Sequence, residues 1–263
     1  MLVSHESPLE LLDLSRSYND YDYALVHLFE IYPQYYDFFK DELKRGRRVL
    51  LDNSLFELGV AFDADKFAQK IIELQPTEYI VPDVWENCND TIMQFEHWIN
   101  KYNNLPGKKI GVIQGKNFDE FTECYKFMED KADKIAISFA YSDFKYHIKH
   151  PNDSTNYMLG RISLMSNFLH KNIINKKKPH HLLGCGNPLE FSFYNKKYYN
   201  FIETIDTSSP IVHAILNIKY PKNMHNWSKK DIKLVDLIDT PLNQINFDIL
   251  QYNLKRFKEF IKF

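Results

Sequence analysis

The chain is poor in cysteine and glycine, carries no excess of either charge, and contains no long apolar run. Its 263 residues include three cysteines, Cys88, Cys124 and Cys185. An odd number without a close pair argues against a disulfide framework or a zinc ribbon, and for a reducing compartment. There are only eight glycines. Gly184-Cys185-Gly186 is the nearest approach to a dinucleotide loop, and Leu189 occupies its third glycine position, so that motif is rejected. Lys and Arg number 33 against 35 Asp and Glu, a net charge of −2. Any nucleic-acid partner must therefore be held by a local basic patch. No apolar stretch approaches the roughly 20 residues that cross a bilayer. The N-terminus lacks a basic start followed by an apolar stretch, so no signal peptide is expected and the expected location is cytoplasmic.

What the chain does have is a hydrophobic content of 44% with 15% aromatic residues, enough for a large core. Short β-rich runs alternate with helical patterns. The strands are expected at residues 1–7, 24–29, 49–52, 78–83, 109–114, 134–139, 181–185 and 202–206. Between them, helices are expected at 33–45, 65–74, 89–102, 117–128, 157–173 and 188–199, with a last one at 246–261. Eight such alternations predict an α/β fold, a (β/α)8 TIM barrel. No linker or internal repeat interrupts it, so a single domain is expected, with the barrel over about 1–210 and a closing segment over 211–263.

Several strands end on polar side chains. Val49-Leu50-Leu51 runs into Asp52-Asn53-Ser54, Tyr79-Ile80-Val81-Pro82 into Asp83, Ile110-Gly111-Val112-Ile113 into Gln114-Gly115, and Ile202-Glu203-Thr204-Ile205 into Asp206-Thr207. A buried strand tip is a costly place for an acid without a task. In a parallel barrel these ends share one face, so Asp52, Asp83, Gln114 and Asp206 are expected to converge. Two carboxylates flanking an acetal-like carbon suit glycosyl transfer. A single Asp after a strand is more often a helix cap or turn residue, and it is the set that points to a site.

These residues resemble a known family. Asp52-Asn53-Ser54-Leu55-Phe56-Glu57 is similar to the Asp-Ser-Gly-Gly-Phe-Gln motif of the tRNA-guanine transglycosylases. Val81-Pro82-Asp83 resembles their second acidic motif, and Val112-Ile113-Gln114-Gly115 their Val-Gln-Gly-Gly segment. Leu182-Leu183-Gly184-Cys185-Gly186-Asn187-Pro188 resembles Leu-Met-Gly-Val-Gly-x-Pro, and Ile205-Asp206-Thr207-Ser208-Ser209-Pro210 resembles Phe-Asp-Cys-Val-x-Pro. The order matches across residues 50–210. The family's glycines beside the first Asp are Ser54 and Leu55 here, and its glycines on the sixth strand are replaced by Ile137-Ser138-Phe139. Its C-terminal zinc motif has no counterpart after Cys185, so no metal and no cofactor are expected. That compact form resembles the phage-associated enzymes that insert 7-deazaguanines into DNA.

The resemblance implies base exchange. Asp206 would attack C1′ and Asp52 would move the proton to and from the base. Asp83 with Gln114 would recognise the base's hydrogen-bonding edge and Phe56 with Leu183 would sandwich its ring, with Gly115, Asn53 and Gly184 as further substrate-binding candidates. The implied partners are DNA, with tRNA as the alternative, and a free 7-deazaguanine base of the preQ0 kind; no membrane is implied. The setting would be the cytoplasm of a phage-infected bacterium. A catalytically inactive barrel that binds a nucleobase or nucleic acid is the rival of another class. Lys145, His147, Lys149 and His150 after strand six are candidates for gripping phosphates. So are Lys219, Lys222, His225, Lys229 and Lys230 after strand eight. Lys176–Lys178 is expected to be a solvated turn.

Overall fold

The computed structural model describes residues 1–147, 149–225, 227, 230 and 232–261, without the side chains of Tyr146 and His147; Lys229 lies outside the described residues. The strands are β1 (Leu2–His5), β2 (Asp22–Leu25), β3 (Val49–Asp52), β4 (Glu78–Ile80), β5 (Lys108–Ile113), β6 (Lys134–Ile137), β7 (His180–Leu182) and β8 (Ile202–Thr207). They form one eight-stranded sheet in the order β1-β8-β7-β6-β5-β4-β3-β2. With helices between successive strands, this is a (β/α)8 barrel, as the patterning predicts. Two compact units make it up. One comprises Tyr21–Ile137 and Lys177–His181, the other Met1–Asp20, Ser138–Lys176 and Leu182–Phe263.

In the first unit β2 through β6 pair in parallel, with Leu25 opposite Asp52 and Ile113 opposite Ile137. Every residue of β3, β4 and β6 is buried, which explains why these strands read as apolar runs rather than as alternating patterns. The long helices are α1 (Pro33–Lys44), α2 (Ala64–Leu74), α3 (Cys88–Lys101) and α4 (Phe118–Lys131). Proline opens α1, and the Asp63, Asn87 and Asn117 side chains accept from backbone N–H groups at the starts of α2, α3 and α4. Where these strands begin, Glu78 is fully buried and receives the Arg48 guanidinium on both oxygens, at 2.8 and 3.0 Å, and the Lys134 ammonium at 2.8 Å. Burial raises the Glu78 pKa, and Arg48 and Lys134 outweigh it, leaving a net lowering. Lys176 and Lys177 are exposed in a turn, as expected, while Lys178 is half-buried and its ammonium caps α4 by donating to the carbonyls of Glu129 and Ala132.

In the second unit β1 pairs with β8, with Ser4 opposite Asp206. Its long helices are α5 (Asp153–His170), α6 (Ser209–Ile215) and α7 (Phe247–Phe260). Leu250 and Leu254 of α7 pack with Leu11, Tyr18, Ile211, Ala214 and Ile245. Asn253 is buried in the same stripe, where it accepts from Tyr220 N–H at 2.8 Å and donates to the Ile218 carbonyl at 3.0 Å.

Some expected boundaries move for identifiable reasons. β2 starts two residues early, and Leu28–Ile31 forms a short helix instead of ending the strand. α5 begins at Asp153, four residues before the expected start, because Asn152 caps it by accepting from Ser154 N–H. The segment expected as one helix from Pro188 to Tyr199 is a 3-10 turn, Pro188–Phe193, and a separate helix, Lys196–Tyr199. Tyr194 turns extended between them, and the Asn195 side chain starts the second piece by accepting from Lys197 N–H.

Candidate active site

In the first unit the ends of β3, β4 and β5 form one polar network. Asp83 is 4% exposed. One of its oxygens receives Asn53 Nδ2 at 2.7 Å and the other receives Gln114 Nε2 at 2.6 Å. Neither amide is free to turn. Asn53 also donates to the Val81 carbonyl and accepts from Leu55 N–H, while Gln114 Oε1 accepts from Glu86 N–H. Burial pushes the Asp83 carboxyl up to about 6, partly offset by the hydrogen bonds from Gln114 and Asn53. The network thus holds a carboxyl group poised near neutrality, with its plane fixed from both sides. Gly115 adds close packing: a Cβ there would lie 2.9 Å from both Glu120 Cβ and Phe121 N at the start of α4.

Asp52 ends β3 and accepts from Ser54 N–H at 2.9 Å. Ser54 has φ +61°, in the left-handed region that disfavours side chains. Its hydroxyl lies 2.8 Å from His27 Nδ1, at the turn after β2. This pair is not legible in the sequence, where His27 falls inside an expected strand. The family resemblance offers a partial signal, since a glycine occupies the Ser54 position in the motif it is compared with. Phe56 follows on the short helix Leu55–Leu58, 49% exposed, with its ring 6.3 Å from that of Trp85.

In the second unit Asp206 lies near the end of β8 and is 3% exposed. Both of its carboxylate oxygens are 3.1 Å from Gly184 N–H. Gly184 has φ +62°, the conformation that ends β7 and turns the amide toward Asp206. Cys185 N–H donates to the Asp206 carbonyl and Thr207 Oγ1 to the Cys185 carbonyl, so the loop is stitched to β8 on both sides of the acid. Leu183, half-buried, precedes the glycine. On β1, Ser4 sits in register with Asp206 and its Oγ is buried without a hydrogen-bond partner among the described residues. His5 is a core residue: burial, despite the Asn19 hydrogen bond, lowers its pKa to about 3, and Tyr18 and Phe257 meet its ring edge-on.

The basic candidates are less uniform than their sequence suggests. Lys145 is ion-paired with Asp153 at 2.8 Å and lies over the Tyr157 ring, so its charge is locally matched. Lys149 is exposed. Lys219 and Lys222 flank α7: Lys219 Nζ is 4.1 Å from the Tyr252 ring centroid, and the Lys222 carbonyl accepts from Arg256. A groove of about 340 Å³ there is lined by Lys222, Tyr252, Lys255, Arg256 and Glu259. No group of three or more His, Cys, Asp or Glu able to hold a metal occurs among the described residues. No described helix is long and apolar enough to cross a membrane. No protein-family model matches the chain, and a search of curated proteins returned no match.

Proposed function

We propose that the protein is a guanine transglycosylase that exchanges guanine in DNA for a 7-deazaguanine base, with Asp206 as the nucleophile. The observation that carries this reading is the Asp206 carboxylate, held at the end of β8 by the Gly184 amide on both oxygens. A carboxylate fixed in this way meets C1′ without first reorganising. In the first step an Asp206 oxygen bonds to C1′ as the C1′–N9 bond breaks. The bonding pair leaves with guanine, which takes a proton from Asp52. In the second step Asp52 recovers a proton from N9 of the incoming 7-deazaguanine. That nitrogen bonds to C1′, and the ester to Asp206 breaks. Nothing is oxidised or reduced.

The Asn53–Asp83–Gln114 network supports a role in base choice. The second lone pairs of Asp83 complement the N–H groups of guanine, and Gln114 Nε2 retains a second hydrogen. Phe56 and Leu183 are assigned the faces of the purine ring, as apolar surfaces suited to a planar base. Lys149, Lys219 and Lys222 are assigned to phosphates, whereas Lys145 contributes less because Asp153 already pairs with it. On a duplex the nucleotide is extruded, at a cost of a few kcal/mol.

Mass spectrometry of protein denatured after mixing with guanine-containing DNA tests the chemistry. A nucleotide adduct on the peptide containing Asp206, lost in Asp206→Asn, is expected. An adduct on the peptide containing Asp52 instead would reverse the two roles, and no adduct on either, even in Asp52→Asn, would count against a covalent route.

A further inference from the structure

Beneath the β7 loop lies an ion pair that the proposed chemistry does not use. Arg161 on α5 and Glu190 in the turn after β7 are both 0% exposed. The guanidinium forks onto the carboxylate, Nε to Oε1 at 2.8 Å and Nη2 to Oε2 at 2.7 Å. Tyr194 Oη donates to the same Oε1 at 2.6 Å. Burial opposes the guanidinium's charge, and Glu190, Cys185 and Tyr194 outweigh it, so the Arg161 pKa rises above its ordinary value. Such a pair is costly to desolvate, and an apolar pair of similar volume is often as stable or more so. Its presence therefore calls for a reason beyond stability.

The reason is in the donors left over. Arg161 Nη1 donates to the Leu183 carbonyl at 2.6 Å and Nη2 to Cys185 Sγ at 3.2 Å. These two residues flank Gly184, whose N–H faces both oxygens of Asp206. The Phe139 ring covers the guanidinium at 5.0 Å from its centroid. One edge of the planar fork is anchored on Glu190 and the other holds the loop on both sides of the glycine. A lysine has neither the plane nor the number of donors for this.

We propose that Arg161, locked by Glu190 and Tyr194, is a positioning residue that sets the Gly184 amide against Asp206. It touches no substrate. It acts through the peptide it holds, and through the nucleophile that the peptide orients. The proposal rests on Asp206 being the nucleophile only for its kinetic consequence; the brace itself is a property of the free protein.

Arg161→Met alone strands a buried carboxylate and risks unfolding, so the informative variants are Arg161→Lys and the double variant Arg161→Met/Glu190→Leu, which leaves no buried charge unpaired. Amide hydrogen exchange by NMR reads the brace directly. In the double variant, protection of Gly184 N–H should fall about tenfold or more, while Leu254 N–H in α7 keeps its protection. In guanine exchange, kcat should fall by about 10- to 100-fold with the KM for free base unchanged. Arg161→Lys should fall between wild type and the double variant in both measurements. Unchanged Gly184 protection overturns the proposal, and so does lost protection with unchanged kcat. If wild type shows no base exchange at all, the proposed function fails, and the amide measurement alone decides for or against the brace.

Discussion

Replacing Asp83 by asparagine should change how stability depends on pH, in a direction and size fixed by its surroundings. The carboxyl is 4% exposed and its pKa is raised from 3.8 to about 6 by burial. The folded protein therefore keeps this proton at pH values where the unfolded chain has lost it. Raising the pH from about 4 to about 6 favours the unfolded state, and the effect levels off above the folded pKa. A gap of about 2 pH units corresponds to about 3 kcal/mol. The amide of Asp83→Asn carries no charge, so the variant lacks this slope. It has its own cost, because Asn53 Nδ2 and Gln114 Nε2 both donate to Asp83 and one must then face an NH2 group. That cost, about 1–3 kcal/mol, is the same at every pH. Urea unfolding followed by tryptophan fluorescence at half-unit steps gives both curves. The stability of Asp83→Asn minus that of wild type should climb by about 3 kcal/mol between about pH 3 and 7 and then stay flat. A difference constant across that window would refute the assignment of a buried, proton-holding carboxyl.

Other outcomes follow from neighbouring geometry. Ser54→Ala should cost about 1–2 kcal/mol, because it removes the contact with His27 while keeping a Cβ at φ +61°. Ser54→Gly should be the more stable of the two in thermal melts, and the opposite order would show that the turn is unstrained. Lys134→Met should lower stability by about 3 kcal/mol by unpairing part of the Glu78 cluster, measured by urea unfolding; a loss under about 0.5 kcal/mol would mean that Arg48 alone satisfies Glu78. In exchange assays Asp83→Ala should raise the KM for free base and weaken discrimination against adenine, while unchanged selectivity would remove Asp83 from base recognition.

The fold was legible because buried parallel strands leave a signature that does not depend on detail: apolar runs such as Val49–Leu51 ending on Asp52, spaced by helical patterns. The acids and amides at strand ends were legible for the same reason. Boundaries were not, wherever a side chain competes with the backbone, as Asn152 and Asn195 do. The partnerships within the site were also hidden. Arg161 and Glu190 are 29 positions apart on elements whose packing sets the contact, and His27 meets Ser54 across 27. Neither spacing follows a helical or strand period. Lys145 is a further case of a hidden partnership, its ammonium pairing with Asp153 eight residues on.

The central claim, base exchange at C1′ by Asp206 in a DNA nucleotide, is tested most directly by incubating the protein with radiolabelled guanine and unlabelled polymer, with single-stranded DNA, duplex DNA and tRNA assayed side by side. The account predicts label in DNA, more readily in single strands, and none with Asp206→Asn. Label confined to tRNA would contradict the choice of polymer, and absence of label from all three would contradict the exchange reaction itself.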